Sequence, residues 1–259
     1  MKDKSKFWLA LIAFFVILGV IILLPAKKKP KRVVRPPVQV TKGKIAIVLD
    51  DWGYNLNNMA AVSEIKQPLT LALLPNLAFS KKIAQDLHQR GFEIILHLPM
   101  EPMEKCNLEK NTVRTSMDKK QIEAVISKDL ASIVYAKGVS NHMGSKATSD
   151  PVTMDVTFRE LKKRGLYFLD SYVTAKSISR EFASKIGLRF AKRDVFLDNS
   201  NDPEYIKQQL YLLRAKAKQR GSAIGIGHDR KNTLQVLKEV LPEFERDGYK
   251  IVFVSELVR

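Results

Sequence analysis

From residue 45 to the end of the chain, short apolar runs alternate with longer stretches of helical spacing, and no other feature restricts the fold as strongly. The runs lie at 45–49, 69–74, 92–97, 138–142, 166–170, 188–190, 222–227 and 250–254. Helix-like stretches at 79–90, 118–136, 152–164, 203–219 and 231–246 separate them. In the second of these, Asp118 stands at the N-cap position, and Ile122, Val125, Ile126 and Leu130 fall on one face. Runs that are apolar throughout, rather than at every second position, predict strands covered on both faces, which means a parallel sheet with crossover helices. Seven or eight such units closing on themselves make an α/β fold, a distorted (β/α) barrel of about seven strands. A doubly wound open sheet is the alternative. No internal repeat, G-x-G-x-x-G or P-loop is present, and "GIGHDR" lacks the third glycine of a phosphate loop.

A parallel arrangement sends every strand C-terminus to one face, where sites of such folds are built. The polar residues fall accordingly. "GKIAIVLDDWGYN" runs five apolar residues into Asp50 and Asp51; His97 ends the third run, His142 the fourth, Asp170 the fifth, and His228 follows the seventh. Three of only four histidines thus sit at strand ends. Burying an unpaired carboxylate there is costly, so a partner, a proton or a metal is expected. Taken singly each residue has an ordinary reading: His97 as a structural histidine, Asp170 as a turn cap. Asp198 reads as a turn residue among Asn199, Asn201 and Asp202, and His88 as a surface residue near a helix end.

Two imidazoles and a carboxylate with open positions suit a catalytic divalent ion, zinc foremost. A second carboxylate could take a proton from water and a further histidine could supply one to a leaving group, a set suited to amide or ester hydrolysis. Cys106 has no surroundings that would activate it as a nucleophile. As the single cysteine it excludes an intramolecular disulfide and a zinc finger.

"IAIVLDDWG", "LHLPMEP", "NHMGS", "FLDS" and "GHDR", in this order, resemble the divergent polysaccharide deacetylases, relatives of the NodB-like carbohydrate esterases. The resemblance covers about residues 43 to 259. It implies a distorted (β/α) barrel with Asp50 as general base, Asp51, His97 and His142 as metal ligands, and His228 as general acid. It also implies Asp170 as a supporting carboxylate that orients one of these groups. The implied substrate is an N- or O-acetylated envelope glycan. Two departures stand out: NodB-type enzymes place both metal histidines four residues apart, whereas here the position four after His97 is Glu101, and no Arg-Pro-Pro-Tyr-type segment is present. The alternative function is a catalytically inactive barrel acting as a membrane-anchored glycan-binding or scaffold protein.

Residues 7–24, "FWLALIAFFVILGVIILL", are eighteen uncharged residues, long enough at about 1.5 Å each for an N-terminal transmembrane helix. A cleaved signal peptide is disfavoured because "LLPAKKKP" offers no small-x-small site. The expected organisation is an anchor at 1–26, a basic Pro-rich linker at 27–43 and the deacetylase-like domain at 44–259. The flanking charges, counted plainly, put the domain inside the cell; the family resemblance favours export to the periplasmic or extracellular face. Residues 1–44 hold eleven Lys/Arg against the single acid Asp3, so much of the net charge of +17 belongs to the tail. The remainder shows no basic stripe interleaved with aromatics, which argues against nucleic acid as a partner. Oligomeric state is left open.

Overall fold

A computed structural model describes the backbone of residues 3–23 and 41–259, and in the first segment the side chains of residues 4–16. The two segments belong to separate compact units, Met1–Gln39 and Val40–Arg259. Helix α1, Asp3–Leu23, covers the apolar run except Leu24, which lies outside the described residues, as do residues 27–40 of the expected linker. Among the described residues no helix is long and apolar enough to cross a membrane.

The second unit contains nine strands: β1 (Gly43–Trp52), β2 (Thr70–Leu73), β3 (Glu93–Met100), β4 (Gly138–Met143), β5 (Tyr167–Asp170), β6 (Phe190–Lys192), β7 (Val195–Phe196), β8 (Ser222–His228) and β9 (Tyr249–Val252). Between them run α2 (Met59–Ser63), α3 (Ser80–Gln89), α4 (Lys119–Ser132), α5 (Pro151–Lys163), α6 (Ser179–Ile186), α7 (Pro203–Arg220) and α8 (Lys231–Arg246). The sheet is parallel, in the order β6-β5-β4-β3-β2-β1-β8-β7. β9 pairs with the opening residues of β1, Gly43 to Ala46, while β2 pairs further along it, from Val48 to Trp52.

β6 and β7 stand at opposite ends of that order yet are joined by Arg193 and Asp194 alone. Three peptide links reach at most about 11 Å, so the sheet must curl until its edges face each other. No bridge joins β6 to β7 among the described residues. The result is a parallel α/β half-barrel of nine strands, open at this seam, where the sequence led us to expect about seven strands in a distorted barrel.

Alternation along each strand sorts the side chains. Ile45, Ile47 and Leu49 of β1 face the helices, whereas Ala46 and Val48 join Ala72, Ile95, Leu169, Ile224, Ile226 and Val252 inside the curl. Each fully buried Leu or Ile contributes roughly 1.5–3 kcal/mol. Helix starts are locally encoded: Asp118 accepts from Gln121 N while the Gln121 side chain returns a bond to Asp118 N, a capping box. Asp150 and Asp202 cap helices that open with Pro151 and Pro203.

At the base of the curl a polar layer interrupts the apolar interior. Glu93, 2% exposed, accepts from Thr70 Oγ1 at 2.9 Å, from Tyr167 Oη at 2.9 Å and from Ser255 N at 3.2 Å. Val254 N donates to Thr70 Oγ1 at 3.1 Å, so the short 3₁₀ turn Val254–Glu256 seals this end. Gly138 is required beside it: a Cβ there would lie 2.4 Å from the Tyr167 ring.

Candidate metal centre

The same alternation carries four polar side chains to the opposite end of the interior. Asp50 lies two residues beyond Val48, His97 two beyond Ile95, His142 two beyond Ser140, and His228 two beyond Ile226. Register completes the set, pairing Asp50 with His228 and His97 with Ser140. β1 shifts register between Leu49 and Trp52, and within that irregularity Asp51 adopts φ 66°. Aspartate tolerates this left-handed conformation better than most residues, and such strain concentrates at functional sites.

Asp51, His97 and His142 each offer one ligand atom, all within 4.8 Å of one another. Asp51 Oδ1 lies 3.3 Å from His97 Nε2 and 3.1 Å from His142 Nδ1. Tetrahedral ligands about 2.0–2.2 Å from a zinc ion stand roughly 3.3–3.6 Å from one another, so the two Asp51 distances come close to that spacing and the N/O donor chemistry fits a divalent ion. His97 is oriented from behind, its Nδ1 lying 2.7 Å from Ser140 Oγ. That contact turns Nε2 toward the aspartates, the usual service of a second partner to a ligating imidazole, and with an ion bound Nδ1 would keep the proton and Nε2 would offer its lone pair. Burial pushes the His97 ring down to a pKa of about 4, which favours the neutral, ligating form. Burial alone would raise the Asp51 carboxyl; hydrogen bonds from His142 and His97 outweigh it and hold the group well below the usual carboxylate range.

Asp50 is buried beside this trio, with Oδ2 3.5 Å from His97 Nε2 and Oδ1 without a hydrogen-bond partner among the described residues. Its pKa is raised, first by burial and then by the negative charges of Asp51 and Asp198, with Arg193 opposing. His228 Nε2 lies 3.9 Å from Asp51 Oδ2. Its Nδ1 lies 2.8 Å from Asp198 Oδ1, and its backbone N donates to Asp198 Oδ2 at 2.8 Å. Asp198 is fully buried, also accepts from Thr233 Oγ1, and is held below its ordinary pKa: bonds from His228 and Thr233 outweigh burial. Gly227 makes room for this, since a Cβ there would meet Thr233 Cγ2 at 3.0 Å and Asp198 Oδ2 at 3.4 Å.

Asp170 ends β5 beside Arg193, whose charge it shares with Asp50. It accepts from Tyr172 N at 2.7 Å and Ser177 Oγ at 2.6 Å, closing the turn after β5, and bonds neither Asp50 nor His228. The carboxylate that orients His228 is Asp198, which the sequence led us to read as a turn residue. A signal was present: "IVLD", "YFLD" and "VFLD" are three apolar runs ending in aspartate, and the third belongs to the two-residue strand β7. Arg193, at the open seam, donates to Ser171 O at 2.6 Å and Tyr172 O at 2.8 Å and sets its charge near Asp50 and Asp170. Glu101, at the position of the family's usual second histidine, is spent on Lys146 and Thr115.

Solved structures place this architecture among known folds. A crystal structure of an uncharacterized protein from Agrobacterium tumefaciens superposes with TM-score 0.82 and 26% identity, over 86% of this chain and 92% of that one. Fold alone is shared with a family 4 carbohydrate esterase from Streptomyces lividans in complex with acetate (TM-score 0.50, 14% identity, 82% and 92% of the two chains). The same holds for a pseudoenzyme of that esterase family from Bacillus anthracis (TM-score 0.53, 12%, 85% and 66%). The uncharacterized protein YibQ of Escherichia coli is 37% identical over 202 residues, a match covering 78% of this chain and 63% of that protein, so the chain spans less than two thirds of that relative. Residues 47–258 match the family described as divergent polysaccharide deacetylase, and the chain belongs to that family.

Proposed function

We propose that the protein is a metal-dependent hydrolase that removes acetyl groups from an N- or O-acetylated glycan of the cell envelope. The observation carrying this reading is the convergence of Asp51, His97 and His142 within 4.8 Å, with a second carboxylate and a third imidazole at their side. A divalent ion held there, zinc by its donor set, would polarise the acetyl carbonyl and lower the pKa of water. Asp50 takes the proton of the attacking water: burial and the neighbouring Asp51 and Asp198 raise its basicity, and Arg193, joined by a divalent ion when one is bound, would hold it ionised. His228 gives a proton to the departing amine or alcohol, with Asp198 fixing its ring as in other carboxylate–histidine pairs. Asp170 supports the rim at one remove, through the Arg193 charge it shares with Asp50. The apolar α1 run and basic linker would anchor the domain at the membrane, on the exported side where such glycans lie.

A pseudoenzyme uses the same fold, so a barrel that binds glycan without cleaving it is the second reading. One experiment separates the two: metal content and acetate release of the full chain beside Asp50→Asn. Stoichiometric metal in both, with acetate release falling about 10³-fold in the variant, is the expected result. Full metal with no acetate released from any acetylated glycan by the unmodified chain supports the binding reading. Absence of metal under non-chelating conditions overturns both the site and the hydrolase.

A further inference from the structure

The end of the barrel opposite the metal centre is charged in a way that folding does not require. In a parallel sheet the residues leading into strands and those ending helices share one pole. Lys42, Lys44, Lys66, Lys137 and Arg189 lead into or open strands there, and Lys162, Lys163, Lys185 and Arg220 close helices α5, α6 and α7. Cations at helix C-termini complement the helix dipole, which explains the second group but not the first. Arg220 pairs with Asp194 and Lys163 lies 4.0 Å from Glu160, but the other seven form no salt bridge among the described residues. Two clefts open among them, one of ≈ 350 Å³ with Lys42, Lys44, Arg220 and Arg259 in its wall, the other of ≈ 580 Å³ with Lys162, Lys163 and Lys185.

The metal-bearing pole differs in kind. Lys146 pairs with Glu101 there, Arg193 and Arg230 bond carbonyls as Lys162 and Arg189 do at the basic pole, and four carboxylates, Asp50, Asp51, Asp198 and Asp229, gather between them. A second feature marks the basic pole. Tyr135, between α4 and β4, is 49% exposed, is held at φ 74°, and stacks on His88 at 4.2 Å. A presented tyrosine beside unpaired lysines is the pattern of a protein surface that meets a lipid interface. The chain enters the domain at this same pole, with Thr41 and Lys42 immediately before β1.

We propose that this pole docks on an anionic phospholipid surface, the lysines meeting headgroup phosphates, so that the metal centre faces away from the bilayer. The inference deepens the membrane reading of residues 7–24 and rests on it; the experiment separates the two. The full chain is reconstituted in vesicles of phosphatidylcholine alone or with about one third phosphatidylglycerol, and lysine acylation is mapped by mass spectrometry. We expect Lys137, Lys162 and Lys185 to be acylated at least about threefold more slowly on the anionic vesicles only, with protection lost near 0.5 M salt, where screening shortens to about 4 Å. Lys105 and Lys176, at the other pole, should react alike on both. Changing Lys162, Lys163 and Lys185 together to Glu should remove the protection of Lys137. Failure of the chain to stay with phosphatidylcholine vesicles overturns the anchor. Retention with equal reactivity at both poles overturns the docking pole alone, as does protection by soluble polyphosphate but not by anionic vesicles.

Discussion

Two carboxylates occupy the interior of this barrel at opposite ends, and their fates differ. Glu93 at the base is met through Oε1 by Thr70, Tyr167 and the backbone of Ser255, all supplied by the chain itself, while its Oε2 has no partner among the described residues. Asp50 at the rim likewise has one oxygen unpartnered, but its other oxygen lies 3.5 Å from His97, and its neighbour Asp51, a third exposed at its side chain, faces three imidazoles. Burial of a charged group therefore does not identify a site. A site is where the remaining donors and acceptors point at a place reachable from outside.

Exchanging the two ends by mutation tests that contrast. Glu93→Ala strands two hydroxyls and a backbone N–H in the interior and should cost about 3 kcal/mol in denaturant unfolding. Metal affinity of the folded fraction should be unchanged, and Glu93→Gln should recover most of the loss. A drop in metal affinity would mean that the two ends are coupled. Asp198→Asn should act the other way, slowing acetate release about 30-fold by loosening the His228 ring while bound metal and unfolding midpoint hold. If metal is lost as well, Asp198 serves the ion and not the acid. The smallest effect concerns Asp129, a buried carboxylate of neither end, whose Oδ1 accepts from Asn76 and Asn111 and whose Oδ2 has no partner. Burial, opposed by those amides, raises its pKa from 3.8 to about 6. The folded protein then binds the proton more tightly than the unfolded one, so stability falls as pH rises from about 4 to about 6, by roughly 1–2 kcal/mol. Asp129→Asn should flatten that slope in urea titrations, and a slope that persists would assign it to other groups.

Local chemistry made much of this legible beforehand. α8 spans the expected 231–246, and the Asp118 cap is in place, because caps and helical spacing act over a few residues. The half of the centre made by Asp51, His97 and His142 could be anticipated because each ends a recognisable strand. What escaped depends on pairing between distant segments. β7 is two residues long and acquires its meaning from its register with β8, which is what brings Asp198 to His228. α2 and α6 are only five and eight residues long and lack side-chain caps, leaving little in the sequence to mark where they start. The seam between β6 and β7 follows from strand order, which no local pattern encodes.

The pairing of β1 with β8 also sets an order in time. β1 is among the first parts of the domain to leave the ribosome, and its partner along most of its length, from Lys44 opposite Ser222 to Asp50 opposite His228, is among the last. At roughly 5–20 residues per second the first strand waits on the order of 10–40 s for that neighbour. During translation Asp50 is an unpaired carboxylate on an open sheet edge, and the base and the acid of the proposed reaction meet only once nearly the whole domain has been made. A chain released early carries the ligands without the machinery.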